Sequence, residues 1–115
     1  MSEEKLMVET LESLREYNTK LISGIKGFSN KLENGQREEA FSLLPQIVEG
    51  LDWVTKAIEL TLDKQQFKIN IEVFNEGLNE MAEAIENNDE ILLTDILSYE
   101  IIPKLEEWQN ENFKN

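Results

Sequence analysis

The sequence predicts an all-α fold, an antiparallel four-helix bundle built of two helical hairpins, and three observations carry that prediction. Apolar residues recur at steps of three and four through nearly the whole chain, the period that stacks side chains on one side of a helix. Two punctuations, Leu32 to Gln36 with Asn34-Gly35 and Ile85 to Asp89 with Asn87-Asn88, interrupt the periodic segments where short turns belong. No segment supplies a sheet: Ile69-Asn70-Ile71 is a three-residue fragment without a partner. At 115 residues the chain reads as one domain, 1–115, large enough for a core that needs neither disulfide nor metal. Its helices are expected over about 3–33, 37–63, 67–87 and 89–110.

The first helix opens on Ser2, Glu3 and Glu4, a hydroxyl that can cap free N–H groups and carboxylates that oppose the positive end of the helix dipole. Met7, Leu11, Leu14, Asn18, Leu21, Ile25, Phe28 and Leu32 then form a heptad-like seam with one polar member. Asn18 is either a buried residue that fixes register or lies on a solvated edge. Gly35 stands where a left-handed residue ends a helix, and the next helix follows at once, so the first two helices should form an antiparallel hairpin.

The second helix is the one the chain is organised around. Leu44, Ile47, Leu51, Val54 and Ile58 make its main stripe, which Ala40 and Thr61 extend; Trp53, Ala57 and Leu60 make a narrower one roughly opposite. Two apolar faces imply neighbours on both sides. Pro45 interrupts this helix early and is expected to bend rather than end it. Between Leu62 and Phe67 neither Gly nor Pro marks a boundary, but the seam changes phase, since 65 and 68 are Gln and Lys and a new seam starts at Phe67, Ile71, Phe74, Leu78, Met81 and Ile85. One uninterrupted helix over both halves would be about 78 Å long, so a turn is the better reading.

The turn at Ile85 to Asp89 repeats the one at Leu32 to Gln36 at an offset of 53 residues, which suggests a duplicated hairpin. Against it, Pro45 to Pro103 is 58 residues and Trp53 to Trp108 is 55. The last helix carries Ile91, Leu92, Leu93, Ile96, Leu97, Tyr99, Ile101 and Ile102 nearly all round its cylinder, so burial on several sides is expected. The C-terminal QNENFKN is polar and should fray.

Composition excludes several kinds of chemistry. Without Cys there is no thiol nucleophile and no thiolate zinc site, and without His the commonest metal ligand and near-neutral acid–base group are missing. No cofactor motif is present, and neither a catalytic nor a metal-binding residue stands out. The start lacks the basic and apolar regions of a signal peptide, so a cytoplasmic protein is expected. Net charge is −13, with 11 basic and 24 acidic residues, and no Lys or Arg lies between Ile69 and Pro103. Such a field repels nucleic acid and anionic membranes and attracts a basic partner.

Function is therefore expected in binding rather than catalysis: a small acidic interaction module of adaptor, chaperone or immunity type that works through helix–helix contacts. Its partner is expected to be a protein, basic or presenting an amphipathic helix, with a homodimer also open. The alternative is an acidic mimic of nucleic acid that inhibits a basic partner. Candidate contact residues are Trp53, Leu60 and Trp108, because aromatic and aliphatic side chains off the main seams can anchor an interface. Glu72, Glu76, Glu80 and Glu83, at steps of four, four and three along the third helix, form an acidic strip. Carboxylates strung along one helix repel each other and do not converge on an ion, so a solvated face is the plainer account of that strip. Gly27, Gly50 and Gly77, in helix interiors beside the seams, are expected to mark close helix approaches.

Overall fold

The structure, a computed structural model, describes residues 2–113, with the Ser2 side chain outside that description. The hydroxyl cap expected of Ser2 and the last two residues of the expected frayed tail therefore lie outside the described residues. Four rods are present: α1 (Ser2–Glu33), α2 (Arg37–Leu60), α3 (Ile71–Glu86), and a last rod made of α4 (Glu90–Ile96), a π turn (Leu97–Ile101) and α5 (Ile102–Asn112). A 3-10 turn, Leu62–Lys64, lies in the connection between the halves. α1 packs on α2, α3 on α4, and α5 along α1, giving the all-α bundle of two hairpins. Its extents are 49 × 23 × 23 Å. Among the described residues no helix is long and apolar enough to cross a membrane.

Both hairpin turns are built alike. At the end of α1 the Gly35 N–H donates to Leu32 O at 3.1 Å and the Gln36 N–H to Lys31 O at 2.8 Å; at the end of α3, Asn88 donates to Ile85 O at 3.1 Å and Asp89 to Ala84 O at 2.8 Å. This closure satisfies carbonyls of the last helical turn and requires a left-handed residue, here Gly35 at φ 76 and Asn88 at φ 55. Glycine has no Cβ to oppose that conformation, and asparagine is among the few other residues that tolerate it. Arg37 and Glu90, which open α2 and α4, form an ion pair that ties the two turns together at one end of the bundle.

Core register repeats at the same offset as far as the π turn and then shifts by one. Ala40 corresponds to Leu93 and Leu44 to Leu97, 53 residues apart and all buried; Ile47, Leu51 and Val54 correspond to Ile101, Leu105 and Trp108, 54 apart and again all buried. The added residue is absorbed in the π turn, where the Ile102 N–H donates to Leu97 O, five residues back. Pro103 accounts for its position. Proline offers no N–H to the Tyr99 carbonyl and its ring crowds that carbonyl, so the helix widens just ahead of it. Pro45 sits inside the continuous α2 with its ring exposed, leaving the missing donor on the solvent side. Trp53 and Trp108 are thus not counterparts, and the two prolines are not either, which is why their spacings hid the repeat.

Some boundaries differ from the periodic expectation. α2 stops at Leu60 rather than near 63, and α3 starts at Ile71 rather than 67. Side-chain hydrogen bonds explain the change. Gln65 Nε2 donates to the Ile58 carbonyl at 2.8 Å and to Thr61 Oγ1 at 3.0 Å, while Asn70 Oδ1 caps α3 by accepting from the Val73 N–H at 3.1 Å. Asn112, expected in a fraying tail, instead fixes this connection: its Oδ1 accepts from the Gln66 and Phe67 N–H groups at 2.9 and 3.1 Å, and its Nδ2 donates to Phe67 O and Trp108 O. Asn18 is fully buried and donates to Leu105 O and Gln109 Oε1, tying α1 to α5. The last rod is not buried on every side, because Ile91, Leu92 and Tyr99 remain exposed.

Candidate functional site

α1 and α2 bury their main stripes against each other and against the rest of the bundle, and α5 lies on α1. Away from those stripes the same two helices carry a second line of residues that no helix covers. On α1 this line is Leu6, Thr10, Ser13, Tyr17, Lys20 and Gly24, at steps of three and four; on the antiparallel α2 it is Leu43, Gln46, Gly50, Trp53 and Leu60. Together they wall a shallow groove with three hollows in line. A cavity of about 280 Å³ lies at Leu6 and Leu60, one of about 570 Å³ at Ser13, Gln46 and Trp53, and one of about 220 Å³ at Gly24, Leu43 and Ile47.

Tyr17 borders the second and third hollows and divides them. Its ring meets Trp53 edge to face, with centroids 5.3 Å apart and planes at 75°, a favourable aromatic geometry. Gly50 makes that placement possible. A Cβ there would come within 2.5 Å of the Tyr17 hydroxyl and 2.9 Å of Leu21 Cδ1, so only glycine lets the tyrosine lie across α2. At Gly24, by contrast, a Cβ would meet nothing within 4 Å. The counterpart of Gly24 in the second hairpin is Gly77, and there Ile101 Cδ1 stands 3.4 Å, and Glu100 Oε1 3.8 Å, from the position of a Cβ. One glycine notch is filled by the chain itself; its equivalent is open.

The residues singled out from the sequence separate into three groups. Trp53, 40% exposed, and Leu60, 71% exposed, both line the groove. Trp108 is fully buried, with its Nε1–H donating to Gln65 Oε1 at 2.9 Å and its ring against Phe113, so it offers no surface to a partner. Its helix lies between α1 and the 61–70 connection, both of which close over it. Glu72, Glu76, Glu80 and Glu83 are exposed on α3, outside the groove, and take part in no salt bridge among the described residues. Among the described residues no three acidic side chains gather closely enough to hold a metal ion. Of the glycines expected to mark close approaches, Gly50 does; a Cβ at Gly77 would make only ordinary van der Waals contact, and one at Gly27 would meet nothing within 4 Å.

Sequence reasoning missed Leu6, Ser13, Tyr17 and Gly24. The available signal was a second series on the first helix, stepping by three and four alongside the Met7 to Leu32 seam, but Thr10, Ser13 and Gly24 gave it too little hydrophobicity to stand out.

Residues 9–111 match the family described as a domain of unknown function, DUF8042. The chain belongs to the DUF8042 family. No curated protein and no solved structure matches it. The DUF8042 span takes in both Schellman-type turns, the π turn and the Trp53 and Gly24 hollows, and leaves out Glu3, Leu6 and Met7 of the outermost hollow.

Proposed function

We propose that this DUF8042 protein is a small acidic protein–protein interaction module, of adaptor, chaperone or immunity type, that works in the cytoplasm as a binding protein rather than an enzyme. The observation that carries the reading is the outer groove of the first hairpin, a trough from Leu6 to Gly24 about 27 Å long, of apolar side chains interspersed with polar ones, that the protein's own helices leave uncovered. Its dimensions suit a partner helix of roughly 18 residues laid along it, with side chains at steps of three, four and seven entering the hollows. Trp53 and Tyr17 are the side-chain types that contribute most at such contacts.

Charge selects the occupant. Glu3, Glu9, Glu16, Glu49 and Asp52 are exposed at or beside groove positions, against Lys5, Lys20 and Lys56, and Lys56 is already paired with Asp52 at 3.0 Å. A helix bearing Lys or Arg on its polar face gains from this border. A second copy of this chain, itself at −13, is opposed by it. The alternative reading, an acidic mimic of nucleic acid, rests on the exposed and unbridged glutamates of α3.

Affinity capture from a lysate of the source organism, washed in low and then high salt, separates these readings. A defined partner that resists high salt supports the groove-binding module, because apolar burial survives screening. One that washes off supports the acidic mimic. Recovery of its own subunits alone would overturn both.

A further inference from the structure

We propose that the open notch at Gly24 is the seat for an aliphatic anchor, isoleucine or leucine, on a basic amphipathic helix of the partner protein; this rests on the binding reading above and specifies it. The molecule supplies its own template. Gly24 and Gly77 occupy the same place in the two hairpins, each eleven residues before the left-handed residue of its turn, Gly35 or Asn88. Ahead of each turn the buried residues correspond as well, Leu21 with Phe74 and Phe28 with Met81. In the second hairpin the extra residue of the π turn brings Ile101 over Gly77, with its Cδ1 3.4 Å from the place a Cβ of residue 77 would take. In the first hairpin α2 has no such extra residue, and Ile47, the counterpart of Ile101, forms a wall of the 220 Å³ hollow instead of its filling.

What the notch lacks is therefore an aliphatic side chain delivered from outside. Its lining is suited to one: Leu21, Leu43 and Ile47 supply apolar atoms, Tyr17 closes the side toward Trp53, and Lys20 and Gln46 form its polar part. A helix that seats its anchor here can place a residue seven or eight positions further on in the Trp53 hollow beyond Tyr17. Beyond the notch, whose own charged residue is Lys20, its polar face meets the carboxylates that border the Trp53 and Leu6 hollows, which sets the requirement for Lys or Arg on that part of the helix.

The test is a selection from a displayed library of 18-residue amphipathic helices, with Lys or Arg on the polar face and varied residues on the apolar face, against the full chain. Binding is read from the emission of Trp53, the exposed tryptophan. Selected helices are expected to carry Ile or Leu at one fixed position and to lose about tenfold or more in affinity when that anchor is cut to alanine, as for loss of a buried aliphatic side chain. Gly24→Leu fills the notch from within. It is expected to fold as well as the parent, since a Cβ there meets nothing, and to weaken the Ile- or Leu-anchored helices about tenfold while leaving their Ala-anchored versions unchanged.

Selected helices that bind parent and Gly24→Leu alike would overturn the seat while leaving the interaction module standing. An empty selection, with a salt-resistant partner captured from lysate by both parent and Gly24→Leu, would do the same. Self-association of the parent that Gly24→Leu abolishes would overturn the commitment to a foreign helix in favour of a second copy. An empty selection with no partner captured would overturn the functional reading itself.

Discussion

The two hairpins share a turn, a register and a glycine, and they differ by one residue. In the first, α2 runs unbroken through Pro45 and leaves Gly24 open; in the second, one additional residue ahead of Pro103 is absorbed in the π turn that follows α4 and brings Ile101 over Gly77. A further difference is length. α1 begins well before the position that matches the start of α3, so it pairs with all of α2 and still has a side free for α5, which has no partner from its own hairpin beyond Ile71. The second hairpin thereby has its tryptophan buried and its notch filled, while the first keeps both at the surface. A single inserted residue and an extended first helix are enough to make one half of a repeat structural and leave the other half available.

Several substitutions sharpen or break that comparison. The largest effect is expected at the buried tryptophan: Trp108→Ala removes a side chain with no exposed surface and leaves Gln65 without its donor, and should cost about 3–5 kcal/mol in chemical denaturation. Next comes the inserted residue. Deleting Tyr99, together with Pro103→Ala, should convert the π turn to plain α-helix and keep a cooperative fold, whereas deleting the exposed Asn79 in α3 should not, because Met81 and Ala84 would be rotated off the core. Circular dichroism and thermal melts decide this, and unfolding by the first deletion would contradict the repeat.

Asn112→Ala should cost about 1–2 kcal/mol, since it frees the 61–70 connection, and hydrogen exchange at the Gln66 and Phe67 amides should accelerate. Trp53→Ala, on the open side, should cost about 1 kcal/mol or less, the worth of an edge-to-face pair at the surface. The smallest effect is electrostatic. The Lys64 ammonium, bonded to Glu4 at 2.5 Å, holds that carboxyl below its ordinary pKa. The pair's contribution is therefore present above the ordinary carboxylate range and is lost as pH falls through the lowered value. In an NMR titration of the Glu4 side chain, Lys64→Gln should return the midpoint to normal.

How far the sequence revealed all this follows from what periodicity can express. The stripe Ala40, Leu44, Ile47, Leu51, Val54, Ile58 and Thr61 is buried throughout, because a step of 3.6 residues is set by the helix itself. Gly35 and the Asn87-Asn88 pair were legible as turns through the backbone conformations they permit. Side-chain hydrogen bonding was not: Asn112 reaches the 61–70 connection from the far end of the chain, which no local pattern encodes, while the Asn70 cap of α3 and the Gln65 bond to the end of α2 are short-range contacts that the apolar seam starting at Phe67 masked. The π turn was hidden because a one-residue shift breaks the offset between equivalent core positions, and Pro103, its visible cause, entered the sequence reading only through its spacing from Pro45. Trp53 and Leu60 were found in the groove because they are apolar and off the seam. Trp108 has the same pattern and is buried, so exposure was decided by what α1 and the connection cover. Gly24 carried no signal at all, since an absent side chain becomes informative only when its counterpart at Gly77 is seen to be filled.

The most direct test of the account compares the two glycines in one measurement: amide and indole chemical shifts of the isotope-labelled protein during titration with a helix from the selection described above. The Gly24 amide and the Trp53 indole are expected to move together and saturate with one affinity, while the Gly77 amide and the Trp108 indole stay where they are. Shifts centred on Gly77, or on the α3 glutamates with Gly24 unmoved, would contradict it.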